Sequence, residues 1–121
     1  MMKTNNVVLQ KSYAFAIKIV RIYQFLSEEK REFILSKQLL RSGTSIGANV
    51  EEAVGGQSDK EFFSKLTISY KECRETRYWI RLLADIDYLT KEQSTSLMRD
   101  VDELLRIIGT IQKTMKTKLK I

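Results

Sequence analysis

Apolar residues recur at steps of three and four through four separated segments of this 121-residue chain, the period of a helix with a buried side. The first segment, 6–27, carries Val8, Tyr13, Phe15, Ala16, Ile17, Ile19, Val20, Ile22, Tyr23, Phe25 and Leu26. A surface helix shows an apolar stripe of roughly 100°, but here only a narrow strip of Lys11, Lys18, Arg21 and Gln24 remains polar. Such a helix is expected to be covered on two sides, by its bundle neighbours and by a second interface.

Ser27-Glu28-Glu29-Lys30-Arg31 reads as a turn, and a second helix is predicted over 32–54. Leu35, Leu39, Ser42, Ile46, Val50 and Ala53 form its core seam. Gly43 and Gly47 each cost up to about 1 kcal/mol relative to alanine in a helix interior. Small residues four apart let another backbone come close, which would offset that cost. Gly55-Gly56-Gln57-Ser58 stops the helix. Ser58 has capping-box spacing to Glu61, with Asp59 as a competing cap.

The third helix is predicted over 59–85, with Phe62, Leu66, Ser69, Cys73, Thr76, Ile80 and Leu83 on its seam. Phe63, Tyr70, Tyr78 and Trp79 mark a second face. Residues 86–93 read as a loop whose Tyr88 and Leu89 fold back over the bundle end. The fourth helix, 94–116, completes the pattern with Leu97, Val101, Leu104, Ile108, Ile111 and Met115. Four rods of matched length with short connections predict one all-α domain over 1–121, an antiparallel up-down-up-down four-helix bundle.

Composition narrows the chemistry. The chain has no proline and five glycines, which fits uninterrupted helices. It has no histidine, so a Ser-His-Asp triad, a Cys-His dyad and the commonest metal ligand are excluded. Cys73 stands alone, which excludes an internal disulfide and a four-cysteine zinc site. Lysine or arginine interrupts every apolar run before the roughly 18 residues of a membrane span. The opening MMKTNNVVLQKSYAF has no signal-peptide core, and a reduced cytoplasmic setting is expected.

Net charge is +6, unevenly spread. Residues 1–50 hold eight basic and three acidic side chains, giving +5; residues 51–105 hold eight and twelve, giving −4; residues 106–121 hold five basic and no acidic, giving +5. Lys11, Lys18 and Arg21, with Lys113, Lys116, Lys118 and Lys120, are therefore the candidate phosphate contacts of a nucleic-acid-binding protein. The C-terminal lysines could equally be a solvated helix end that favours its own dipole. On the third helix Lys71, Arg74, Arg77 and Arg81 interleave with Tyr70 and Tyr78. That mixture suits phosphate contact with base stacking, but Glu72 and Glu75 offer the same cations ion-pair partners, and pairing is the reading preferred here.

Catalytic and metal candidates are thin. Glu51, Glu52, Glu72 and Glu75 could face into a bundle, yet carboxylate di-iron bundles also need histidine; salt bridges to Arg41, Arg74 or Arg77 account for them better. Ser42, Thr44 and Ser45 lack a histidine base, and Lys37 or Lys65 would be a speculative substitute. Cys73 sits on the seam as an inert thiol. No catalytic residue, metal or cofactor is assigned, and no enzymatic activity is expected.

The block Gln38-Leu39-Leu40-Arg41-Ser42-Gly43-Thr44-Ser45-Ile46-Gly47-Ala48-Asn49-Val50-Glu51-Glu52-Ala53 has a close resemblance elsewhere. With Phe62, Lys65, Leu66, Ser69, Lys71-Glu72, Glu75-Thr76, Tyr78-Trp79 and Leu82-Leu83 it resembles the bacterial four helix bundle protein family, also called the 23S rRNA intervening-sequence protein family. The resemblance implies a four-helix subunit in a ring-like homopentamer. It extends to accessory proteins of diversity-generating retroelements, basic pentamers that bind nucleic acid and a reverse transcriptase. The combined expectation is a non-enzymatic oligomer that binds nucleic acid, RNA rather than DNA. The alternative is a scaffold that docks a protein partner such as a reverse transcriptase, its charge serving solubility.

Overall fold

The structure, a computed structural model, describes residues 3–121, with side chains from Asn5 onward. It consists of four helices, α1 (Lys3–Glu28), α2 (Leu35–Val54), α3 (Asp59–Asp85) and α4 (Lys91–Leu119), and no strand occurs among the described residues. Each helix packs on its neighbours in the cyclic order α1, α2, α3, α4, while α1 and α3 do not meet, nor do α2 and α4. The α1/α4 seam is the most open.

The buried positions keep the four-three alternation. On α1 they are Val8, Ser12, Phe15, Ile19, Ile22 and Leu26. Leu39, Ser42, Ile46, Val50 and Ala53 of α2 and Leu66, Ser69, Cys73, Thr76, Ile80 and Leu83 of α3 follow suit. The α4 seam is buried from Leu97 to Met115. Leu35 and Phe62, at the ends of their seams, are only half-buried. The buried hydroxyls are satisfied locally: Ser69 Oγ donates to the Ile46 carbonyl at 2.9 Å and Thr76 Oγ1 to Ser42 Oγ at 2.9 Å. These bonds join α2 to α3 and give the hydroxyls they involve a partner, as buried polar atoms require.

The glycines of α2 explain themselves at the α1 contact. A Cβ on Gly43 would lie 2.8 Å from both Cγ1 and Cγ2 of the fully buried Ile19. One on Gly47 would lie 3.2 Å from the backbone oxygen of Ser12. The two missing side chains let α1 pack directly on the α2 backbone, within one chain.

Three helix starts differ from the sequence expectation, the first being α1, which begins at Lys3 rather than residue 6. α2 begins at Leu35 rather than residue 32, because Glu32 stays outside and caps it. Its carboxylate accepts the backbone N–H groups of Ile34 (3.2 Å), Leu35 (3.1 Å) and Ser36 (2.7 Å). α4 begins at Lys91 rather than residue 94, because Thr90 and Gln93 exchange side-chain and backbone hydrogen bonds in a capping box. The other ends run longer as well, α1 to Glu28 and α4 to Leu119. α3 occupies 59–85 as expected, capped by Ser58, which accepts from the Glu61 N–H at 3.1 Å. Tyr88 is half-buried and Leu89 buried, both bonded through their N–H groups to the Leu83 carbonyl.

The Glu32 cap gives a pH-dependent prediction. Partial burial pushes its carboxyl up, but the N–H bonds from Ser36, Leu35 and Ile34 outweigh this and hold it below the usual carboxylate value. A carboxyl that is more acidic when folded stabilises the fold above its unfolded value and loses that contribution as pH falls through the folded one. Glu32→Ala should therefore cost about 1 kcal/mol at neutral pH. In denaturant melts the gap from wild type should close in acid, and a gap that persists undiminished there would contradict the cap.

Candidate nucleic-acid interface

The carboxylates determine where free positive charge remains. Glu72 and Glu75 on α3 both turn toward α2, where Arg41 binds Glu72 at 3.3 Å and also pairs with Glu75. Glu52 on α2 takes Lys65 at 3.3 Å. On α4, Asp100 and Glu103 turn toward α1, and Asp102 turns toward α3 to bind Arg77 Nε at 2.8 Å.

The seven candidate phosphate contacts separate accordingly. Lys11 pairs with Glu103 at 3.2 Å, and Lys18 pairs with Asp100 at 2.6 Å and also bonds Ser96. Both hold the open α1/α4 seam together. Arg21 is exposed and carries no ion pair among the described residues. Lys118 pairs with Asp59 at 3.1 Å, across the α4 and α3 ends. Lys113, Lys116 and Lys120 are exposed, with no carboxylate within 4.0 Å among the described residues. Lys113 lies ten residues beyond Glu103, about 15 Å along α4, so the α1 group and the C-terminal group do not form one patch.

A third set comes together instead. Lys71, Arg74 and Arg81 are exposed on α3 and carry no ion pair among the described residues; the glutamates nearest Lys71 and Arg74 are taken by Arg41. Of the ion pairs expected for Glu72 and Glu75, the one to Arg41 forms, while Arg74 takes neither glutamate and Arg77 pairs with Asp102 instead. Tyr78 stands among them, 52% exposed. It packs edge-on against Trp79 with ring centroids 5.0 Å apart and 74° between planes. Trp79 Nε1 donates to Glu75 at 2.9 Å. On α4, the exposed Arg106 lies between Asp102, which holds Arg77, and Gly109, whose added Cβ would meet the Tyr70 ring at 3.5 Å. Arg106 therefore flanks α3 near Arg74, and Lys113 follows two turns later.

On the opposite corner, α1 presents an apolar outer face. Tyr13 is 65% exposed, and Val7, Ile17 and Val20 are exposed with it. Leu9, Tyr13 and Ala16 line a shallow groove with Thr44 and Ala48 of α2. The periodicity identifies these residues as apolar, while the direction they face follows from the packing of α1 on α2 and α4.

No group of three histidine, cysteine, aspartate or glutamate side chains able to hold a metal occurs among the described residues. No described helix is long and apolar enough to cross a membrane. Burial pushes the Cys73 thiol up to about 12, aided by the neighbouring Glu72 charge, so it stays protonated and unreactive.

A family model described as 23S rRNA-intervening sequence protein matches residues 4–110. A crystal structure of a protein of unknown function from the S23 ribosomal protein family, from Bacteroides thetaiotaomicron, is similar over 91% of this chain and 98% of that one. The two share 48% sequence identity and superpose with a TM-score of 0.89. No curated protein matches the chain.

Proposed function

The chain belongs to the 23S rRNA-intervening sequence protein family, and from that premise we propose that it is a non-enzymatic, oligomeric RNA-binding accessory protein. The observation that carries this reading is the separation of its surface into an apolar side and a cationic side. α1 and α3 occupy opposite corners of the fold. An assembly formed through the α1 face therefore leaves the unpaired cations of α3 and α4 facing solvent.

The subunit is read as an antiparallel up-down-up-down bundle. In support, α1 meets α2 through Ile19 with Gly43 and Ser12 with Gly47, in reversed chain order. Thr76 with Ser42 and Ser69 with Ile46 reverse α2 against α3, and Arg77 with Asp102 and Asp59 with Lys118 reverse α3 against α4. The assembly is proposed to be a homopentamer, with Tyr13, Ile17 and Val20 buried between copies. Each copy adds a cationic face, and weak phosphate contacts repeated around an axis gain from effective concentration. Within this reading Lys113, Lys116, Lys120 and Arg21 contact phosphate directly. Lys11, Lys18 and Lys118 do so only by exchanging an acidic partner. The protein is proposed to act in the cytoplasm.

Affinity purification from the native host, with sequencing of bound RNA and mass spectrometry of bound protein, tests the reading. Enrichment of RNA is the expected result. A stoichiometric protein partner with no RNA would favour the scaffold alternative instead.

A further inference from the structure

We infer that the outer ridge of α3, built by Lys71, Arg74, Tyr78 and Arg81 and flanked by Arg106 of α4, is the contact line for single-stranded RNA. This rests on the RNA-binding reading above but names a different part of the surface and a strand state. Three observations carry it. First, Lys71, Arg74 and Arg81 are exposed and without ion pairs among the described residues, although their segment is net acidic; Arg41 draws Glu72 and Glu75, the glutamates nearest Lys71 and Arg74, toward α2. A phosphate meeting these cations displaces no carboxylate. Second, Tyr78 is an exposed aromatic held in place from behind: Arg41 binds Glu75, Glu75 accepts from Trp79, and Trp79 braces the Tyr78 ring. A ring ordered before binding gives up little entropy when a base stacks on it. Third, the cations fall on one side of the helix over ten residues, about 15 Å, with the ring between Arg74 and Arg81. Phosphate contacts on both sides of a stacking platform suit one strand passing along the ridge.

The partner is single-stranded because only an unpaired base can lay its face on Tyr78. In an A-form duplex the bases are stacked on each other, and their deep major groove does not admit side chains. An acidic protein segment would use the cations but not the ring.

The test is fluorescence anisotropy with the full chain, a labelled oligouridine of about 12 nucleotides, within the site sizes of such surfaces, and a duplex of equal length. The single strand should bind more tightly than the duplex. Arg74→Glu with Arg81→Glu should weaken it by about tenfold or more, whereas Lys37→Glu with Lys91→Glu, equal charge changes on exposed residues elsewhere, should have the smaller effect. Tyr78→Ala should weaken it by about fivefold or more, and Tyr78→Phe should bind like wild type. Circular dichroism of each variant should match wild type. The ridge is overturned if the duplex binds as tightly, if Tyr78→Ala has no effect, or if the control pair weakens binding equally. It alone falls if Lys113→Glu, Lys116→Glu and Lys120→Glu abolish binding while the ridge variants do not. No binding by wild type at low salt removes both the ridge and the RNA-binding reading.

Discussion

Gly43→Leu is expected to destabilise the fold more than any exposed substitution, by about 3 kcal/mol or more. At 2.8 Å even a Cβ would collide with two branch atoms of Ile19, and Ile19 is fully buried with a β-branched, stiff side chain. It cannot swing away without entering space filled by the remaining core. A leucine has nowhere to go, so α1 must separate from α2 or the domain must unfold. Denaturant midpoints check this, with a double-mutant cycle as the sharper form. Gly43→Ala should destabilise the protein alone, and it should cost less in an Ile19→Ala background, which removes the colliding atoms. Gly55→Ala serves as control: Gly55 has φ −81°, and its nearest approach of 3.5 Å is ordinary contact. That change should be neutral or slightly stabilising. Gly43→Ala without loss of stability would mean that the α1/α2 contact is looser than described.

The second large effect concerns assembly. Tyr13→Glu with Ile17→Glu should leave the isolated subunit folded, since both residues are exposed on α1 and outside the core. If copies of the chain cover that face, each new carboxylate is desolvated without a partner, at a cost on the order of 3 kcal/mol per interface or more. Light scattering should then show wild type at several times the 14.1 kDa of one chain, five times for the proposed ring. The double variant should run near a single chain with unchanged helical signal. Wild type running as a monomer at micromolar concentration would refute the second interface.

Much of the fold can be read from periodicity because one seam per helix is buried along nearly its whole length, Leu35 and Phe62 at the seam ends being half-buried. Every seam residue of α4 from Leu97 to Met115 is where the four-three spacing places it. Helix starts are less readable, because caps act from outside the helix. Glu32 has a helix former's composition, yet its carboxylate serves three N–H groups of the following turn. The largest gap lies in the charges. Counted along the chain, residues 51–105 are acidic, which steers attention to the two ends. In three dimensions the acids of that segment turn sideways: Glu72 and Glu75 toward α2, Asp100 and Glu103 toward α1. Two of the expected α1 contacts, Lys11 and Lys18, pair with those acids, and Lys71, Arg74 and Arg81 on α3 have no ion-pair partner among the described residues. Pairing across helices depends on which neighbour each face meets, and a linear charge count does not contain that information.

If the free cations of α3 and α4 bind a polyanion, counterions are released on binding and affinity depends on salt. The most direct measurement is the salt dependence of RNA affinity for the intact wild-type protein, followed from about 50 to about 200 mM salt. Log affinity should fall linearly with log salt concentration, with a slope that shrinks as the α3 and α4 cations are removed. Affinity that does not change with salt, or no binding at the lowest concentration, would contradict it.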